Sequence, residues 1–267
     1  FAFKAPVFPF HTWLPDALLE GPIGMAVVLA GIKLGTFGFM RFSIPLLPEA
    51  SKSATVVSVM MGLGLAAIVY GAIMALVQPD FRRLLAYSSI SHLGFIVIGL
   101  FALNYQGLQG SLLTMINLGF TTAGLFFIAG FLQSRQQTTQ LTAFGGMAKH
   151  TPLLAAFFLL IGLASIGLPG TNGFVGEFLI LIGTWTSRAV SRPWLTTMFA
   201  ATGVIWAAVY MLWMLQRVLF GKITNPENAT LKDLNSRELG LILPLLILMI
   251  FMGVYPRVFL DRSKLSV

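Results

Sequence analysis

Apolar residues run in long blocks separated by short polar stretches marked by proline and glycine. The blocks cover residues 22–47, 54–77, 83–103, 108–132, 152–188, 194–220 and 239–255. At a rise of about 1.5 Å per residue, each unbroken block can cross a hydrocarbon core of about 30 Å. Pro45 and Pro48, Pro79-Asp80, Asn104-Tyr105-Gln106-Gly107, Gly145-Gly146 and Asn225-Pro226 punctuate the boundaries. The pattern predicts an all-α polytopic membrane protein, a helix bundle with about seven complete spanning regions and a truncated one at the start. Residues 1–10 read as the end of an apolar helix carrying Lys4, broken by Pro6, Pro9 and Pro15 because proline lacks the amide donor. Residues 11–20 read as a polar connection. The chain starts inside an apolar segment and is expected to be the C-terminal part of a longer protein.

The block 152–188 is too long for one straight crossing. Leu168-Pro169-Gly170-Thr171-Asn172-Gly173 interrupts it. In lipid, unpaired backbone groups are tolerated where protein or a water-filled cavity satisfies them, and discontinuous helices commonly mark transport sites. The stretch around Pro6 and Pro15, beside Lys4, is a second candidate break.

Composition narrows the class. The chain has 267 residues, 57% hydrophobic and 10% charged. Ordinary globular domains are about 25% charged, so too little polar surface is available to cover a soluble fold. The absence of cysteine excludes disulfides, thiolate metal sites and iron–sulfur clusters on this chain. The net charge of +8 would suggest nucleic acid in a soluble protein. Here most basic residues flank apolar blocks: Arg82, Arg83, Arg135, Lys149, Arg188, Arg192, Arg217, Lys222, Arg257 and Arg262. That placement reads as interface anchoring, with lipid as the partner and no nucleic acid. Lysine and arginine divide almost evenly between the two sides, so the charge pattern sets no orientation. No phosphate-cradling glycine motif, metal cluster or hydrolase-type nucleophile arrangement is visible.

Three ionisable residues lie deep inside apolar blocks: Lys33, His92 and Glu177. A charge at the centre of a membrane helix costs about 2.5–3.5 kcal/mol on insertion scales, so such residues point by default to a proton or ion path. Lysine and glutamate can each exchange a proton when desolvated, and histidine suits a relay near neutral pH. The bland alternatives are a snorkelling lysine, a histidine bonded to a carbonyl or serine, and a glutamate bonded to the broken backbone. Lys4 divides between anchor and function. His11, Asp16 and Glu20 read as caps and loop contacts. The methionines and phenylalanines read as packing or lipid-facing residues.

Three long strings carry a family resemblance. Lys4-Ala-Pro-Val-Phe-Pro-Phe-His-Thr-Trp-Leu-Pro-Asp-Ala17, Asp80-Phe-Arg-Arg-Leu-Leu-Ala-Tyr-Ser-Ser-Ile-Ser-His-Leu-Gly-Phe95 and Gly167-Leu-Pro-Gly-Thr-Asn-Gly-Phe-Val-Gly-Glu-Phe178 resemble the antiporter-like proton-pumping subunits of respiratory complex I. The Glu177 segment and Phe220-Gly-Lys222 look most like the fourth mitochondrially encoded type, called M in bacteria and D in photosynthetic organisms.

The resemblance implies a fourteen-helix subunit with two inverted five-helix repeats. Residues 1–53 would end the first repeat, 54–220 would form the second with its break near 168–173, and 221–267 would hold the C-terminal loop, last helix and tail. It also implies a proton relay of Lys4, Lys33, His92 and Glu177, coupled to quinone reduction in an NAD(P)H- or ferredoxin-dependent complex. Lys4 would work against a glutamate outside this chain, Lys33 would bridge, and Glu177 would hand protons onward. This chain would hold no cofactor; quinone, iron–sulfur clusters and electron donor would sit on other subunits. Its partners would be other membrane subunits, another antiporter-like one included. A stand-alone cation/proton antiporter and a poorly pumping scaffold are the alternatives.

The chain departs from the family pattern twice. Met115-Ile-Asn-Leu-Gly-Phe120 puts Leu118 where the family has histidine, so Thr114, Asn117, Thr121 or water is expected to bridge His92 and Glu177. Leu18-Leu-Glu-Gly-Pro-Ile-Gly24 replaces a His-x-x-Ala-Pro run. With these changes the chain resembles the D subunit of the cyanobacterial thylakoid complex linked to carbon dioxide uptake, which implies a carbon-dioxide-hydrating partner.

Overall fold

A computed structural model describes residues 1–221, 225, 228 and 230–263. Lys222 and Pro226, assigned above to an anchor and a turn, lie outside the described residues. The described elements are helical: α1 (Trp13–Glu20), α2 (Ile23–Gly31), α3 (Leu34–Gly38), α4 (Ile44–Leu46), α5 (Pro48–Lys52), α6 (Ala54–Val77), α7 (Phe81–Phe101), α8 (Tyr105–Gln136), α9 (Pro152–Ser165), α10 (Asn172–Trp185), α11 (Pro193–Leu219), α12 (Ser236–Val254) and α13 (Arg257–Ser263). Among the described residues, six continuous or jointed segments are long and apolar enough to cross a membrane. The helices α9 and α10, 14 residues each, share the fifth expected block, 152–188. The all-helical bundle of the sequence reading is therefore the observed architecture.

Polar caps set the helix starts. The side chains of Ser53, Asp80 and Asn104 accept from the backbone N–H groups of Val56, Arg83 and Gly107. Asn235 and Glu238 cap each other's backbone N–H groups at the start of α12. Each cap satisfies donors that a helix start leaves open.

The helix α7 forms the centre of the bundle. Every residue of it except Arg83 and Tyr87 is buried, and α6, α8, α10, α11 and α1 pack around it. Small residues let the backbones close: a Cβ on Gly71 of α6 would lie 2.7 Å from the backbone nitrogen of Ser91. A helix enclosed on all faces can carry its polar residues away from lipid, and α7 does so with Ser88, Ser89, Ser91 and His92.

Several expectations are corrected. Residues 1–10 form successive turns, not a helix end; Pro6 and Pro9 each remove an amide donor there. Much of the expected polar connection is α1, which buries Leu14, Pro15 and Leu18. The block holding Lys33 is jointed rather than continuous. Ile32 is extended (φ −85°, ψ 113°) and Lys33 lies outside the helical region (φ −96°, ψ 48°). The Lys33 ammonium donates to the Ala30 carbonyl, one of the acceptors that the end of α2 leaves open. Arg82 is not an exposed anchor: it is 4% exposed and donates to the Gly21 carbonyl. Arg135 is likewise tied inward, to Glu238.

Candidate functional site

The break between α9 and α10 builds the site. Gly167 and Gly170 take φ +76° and +92°, a region that glycine enters without a Cβ penalty. The chain re-enters helix at Asn172, whose carbonyl accepts from Asn117 Nδ2 of α8 at 2.5 Å. Gly176 lies so close to α8 that a Cβ there would press on the Thr114 hydroxyl and sit 3.1 Å from the Thr114 backbone nitrogen. This contact fixes the start of α10 and places Glu177, the next residue, toward α7.

Glu177 Oε1 and His92 Nδ1 are 3.0 Å apart. His92 is 3% exposed and Glu177 is 6% exposed. The other ring nitrogen, Nε2, lies 3.3 Å from the hydroxyl of Tyr210 on α11. That hydroxyl lies 2.7 Å from Ser88 Oγ. Both ring nitrogens of His92 therefore have partners from different helices. Glu177 Oε2 faces Gly167, where a Cβ would approach it to 2.9 Å. The Thr114 hydroxyl and the side-chain carbonyls of Asn117 and Asn172 are buried beside the pair without a protein partner. Buried polar groups of this kind commonly take ordered water.

The carboxyl and imidazole can trade one proton across their contact. Glutamate is an acceptor when ionised and a donor when protonated; neutral imidazole is both at once. With Glu177 ionised, Nδ1–H donates to it and Nε2 accepts from Tyr210. With Glu177 protonated, the carboxyl donates to Nδ1, and Nε2–H donates to Tyr210.

Lys4, exposed, and Lys33, half-buried, lie elsewhere. They line one cavity of about 20 Å³ with Thr36, Ala30, Trp13 and Leu93, enough for about one water. Of the four residues singled out in the sequence, His92 and Glu177 are thus in direct contact, and Lys4 and Lys33 share a cavity lining. Leu93 follows His92 and borders the lysine cavity. Leu118 packs in the same apolar cluster as Leu93, Ala5, Val7 and Met115. The expectation that Thr114, Asn117, Thr121 or water must span from His92 to Glu177 past Leu118 is overturned, because the two side chains touch directly. The apolar stretch borders the lysine cavity instead.

The sequence reading did not single out Tyr210, and it gave Ser88 no partner. A tyrosine hydroxyl inside a 27-residue apolar helix needs a partner, and that was the available signal. Among the described residues, no group of three or more His, Asp or Glu side chains could hold a metal ion.

A helical bundle with a broken helix beside a buried histidine–glutamate pair defines an antiporter-like membrane subunit. The chain belongs to the NADH:quinone oxidoreductase/Mrp antiporter transmembrane family, whose model matches residues 1–205. Its relatives include NADH-quinone oxidoreductase subunit M of Rickettsia bellii (strain RML369-C), 42% identical over 269 residues, covering 100% of this chain and 53% of that protein. NADH-ubiquinone oxidoreductase chain 4 of Marchantia polymorpha is also 42% identical over 269 residues, with 100% and 53% covered. The chain spans about half the length of the curated relatives it matches. In respiratory complex I from Thermus thermophilus with bound NADH, one chain superposes with a TM-score of 0.89 at 36% identity, covering 98% of this chain and 54% of that one. The Mrp complex from Dietzia sp. DQ12-45-1b shares the fold, with a TM-score of 0.88 at 18% identity over 98% of this chain and 56% of that one.

Proposed function

We propose that this chain is the proton-carrying part of an M-type, or chain 4-type, membrane subunit in a quinone-reducing complex. The observation that carries the reading is the 3.0 Å contact of His92 with Glu177, buried beside a helix break. Two groups that can each be neutral or charged hold one proton between them in a place where a fixed charge is costly. Lys4 and Lys33 supply a second titratable pair across the Leu93 wall. Redox chemistry takes place on other subunits, and the relatives' names place them in NADH-quinone and NADH-ubiquinone oxidoreductases. Changes in electric field along the assembly then move protons among Lys4, Lys33, His92 and Glu177. Modest fields suffice, since one pKa unit is about 1.4 kcal/mol.

The test is Glu177→Gln in the intact complex, which keeps the shape and removes the titration. Proton translocation per electron should fall; an unchanged ratio would remove Glu177 from the path. The family, which also takes in Mrp antiporters, favours a second reading, cation/proton antiport by the subunit itself. Sodium-dependent transport by the isolated subunit would support that reading, and obligate co-purification with a quinone-reducing complex would oppose it. A narrower proposal, the thylakoid carbon-dioxide-uptake form with a ferredoxin or NAD(P)H donor, rests on Leu118 and the residues around Glu20. Co-purification of a carbon-dioxide-hydrating subunit tests it.

A further inference from the structure

Tyr210 is among the largest fully buried side chains of the bundle, 1% exposed. Packing alone does not call for its hydroxyl, since a phenylalanine ring would fill the same space. The oxygen instead lies 2.7 Å from Ser88 Oγ and 3.3 Å from His92 Nε2. Ser88 is one turn before His92 on α7, toward Asp80 and Arg82. The neighbouring Ser89 hydroxyl is buried with no protein partner, the kind of group that holds a water.

We propose that Tyr210 is a relay residue, carrying a proton between Ser88 and His92 and so feeding Glu177 by a branch separate from the Lys4–Lys33 cavity. The proposal rests on the proton-transfer reading of His92 and Glu177 given above. The steps balance. At the start Glu177 is ionised, His92 Nδ1–H donates to it, Tyr210 donates to Nε2, and Ser88 donates to the Tyr210 oxygen. A hydronium ion gives a proton to Ser88 Oγ and leaves as water. Ser88 passes its own proton to Tyr210, Tyr210 passes its proton to Nε2, and Nδ1 passes its proton to Glu177 Oε1. At the end one proton has entered and Glu177 is protonated. His92 is neutral again with its proton on Nε2, and every hydrogen bond in the row has reversed. No electron moves. The row works in either direction, because serine, tyrosine and neutral histidine each donate and accept.

Glu177 is the charged member of the row, and the other charged side chains on α7, Arg82 and Arg83, are held away from it by the Gly21 carbonyl and Asp16. No other charged side chain touches the four-residue row among the described residues.

Tyr210→Phe in the intact complex removes the hydroxyl and keeps the ring. Coupled proton translocation should fall about a hundredfold, the low end of the effect of losing a positioned proton-transfer group, and its pH profile should move. Ser88→Ala, which leaves the ring in place, should give a comparable loss and carries the test alone if the tyrosine variant does not assemble. His92→Gln and Glu177→Gln are measured beside them. If those two stop translocation while Tyr210→Phe and Ser88→Ala keep the normal rate and pH profile, the branch is refuted and the pair stands. If all four leave translocation unchanged, the reading of the pair falls and the branch falls with it.

Discussion

Two carboxylate contacts, one half-buried and one buried, join helices of this bundle, and they are built in opposite ways. Arg135 and Glu238 join α8 to α12 through two contacts of 2.8 and 2.6 Å. The guanidinium also donates to the carbonyls of Phe131, Lys232 and Asp233. The carboxylate in turn accepts from the Asn235 backbone N–H at 3.0 Å. His92 and Glu177 share one contact, and the ring's other nitrogen meets a neutral hydroxyl. Arginine does not give up its proton in proteins, whereas histidine and glutamate both can. The first pair is a permanent clamp whose charges are answered from every direction. The second can lose its charge without leaving either group buried and ionised. The number of fixed donors around a carboxylate separates the structural pair from the one proposed to transfer a proton.

The largest expected effect follows from breaking the clamp. Glu238→Ala leaves the Arg135 guanidinium, with its side chain 12% exposed, without its counter-charge. Stability should fall by about 3 kcal/mol, the low end of the cost of removing one partner of a buried pair, because this pair is half-buried. Thermal denaturation of the purified complex would show it as early loss of this subunit. Whatever assembles should pump with a normal proton-to-electron ratio. A change in that ratio would mean the clamp also serves transfer, and the contrast with His92 would collapse.

Next in size is Gly176→Val. The added side chain would press on Thr114 of α8, and overpacking of this kind costs about 1–3 kcal/mol. It would also push Glu177 away from His92, so translocation should fall further than the stability loss explains. Glu177→Gln itself should cost about 1 kcal/mol of stability, because glutamine can still hydrogen-bond the ring. Equal losses of stability and pumping in these two variants would make Glu177 a structural residue.

The sequence made some of this legible and hid the rest, for physical reasons. Residues 54–77 were expected as a span and are α6 to the residue, because a lipid-crossing helix must satisfy all its backbone groups within itself. The break expected at residues 168–173 lies at residues 166–171; it was legible, to within two residues, through its proline and glycines. The joint at Lys33 was not, since it contains no proline; Gly31 and Gly35 were its faint signs. Lys33, His92 and Glu177 stood out one by one through the cost of burying them. Their pairing did not. His92 and Glu177 are 85 residues apart, and local pattern carries no information about which helix faces which. Arg82 and Arg135 read as anchors because flanking position was the available cue, while their inward partners come from α1–α2 and α12.

The smallest expected effect tests the same contrast at the surface. Arg83 and Asp16 are 3.0 Å apart, with side chains 40% and 64% exposed. Water already solvates both groups, so the pair should be worth about 0–1 kcal/mol and weaken with salt. Asp16→Asn should therefore leave the denaturation midpoint of the complex almost unmoved and proton translocation normal. A loss as large as that of Glu238→Ala would show that α1 depends on Arg83 as well as on the buried Arg82–Gly21 contact. The depth of a pair would then be a poor guide to its work, and the number of contacts around each charge would have to replace it.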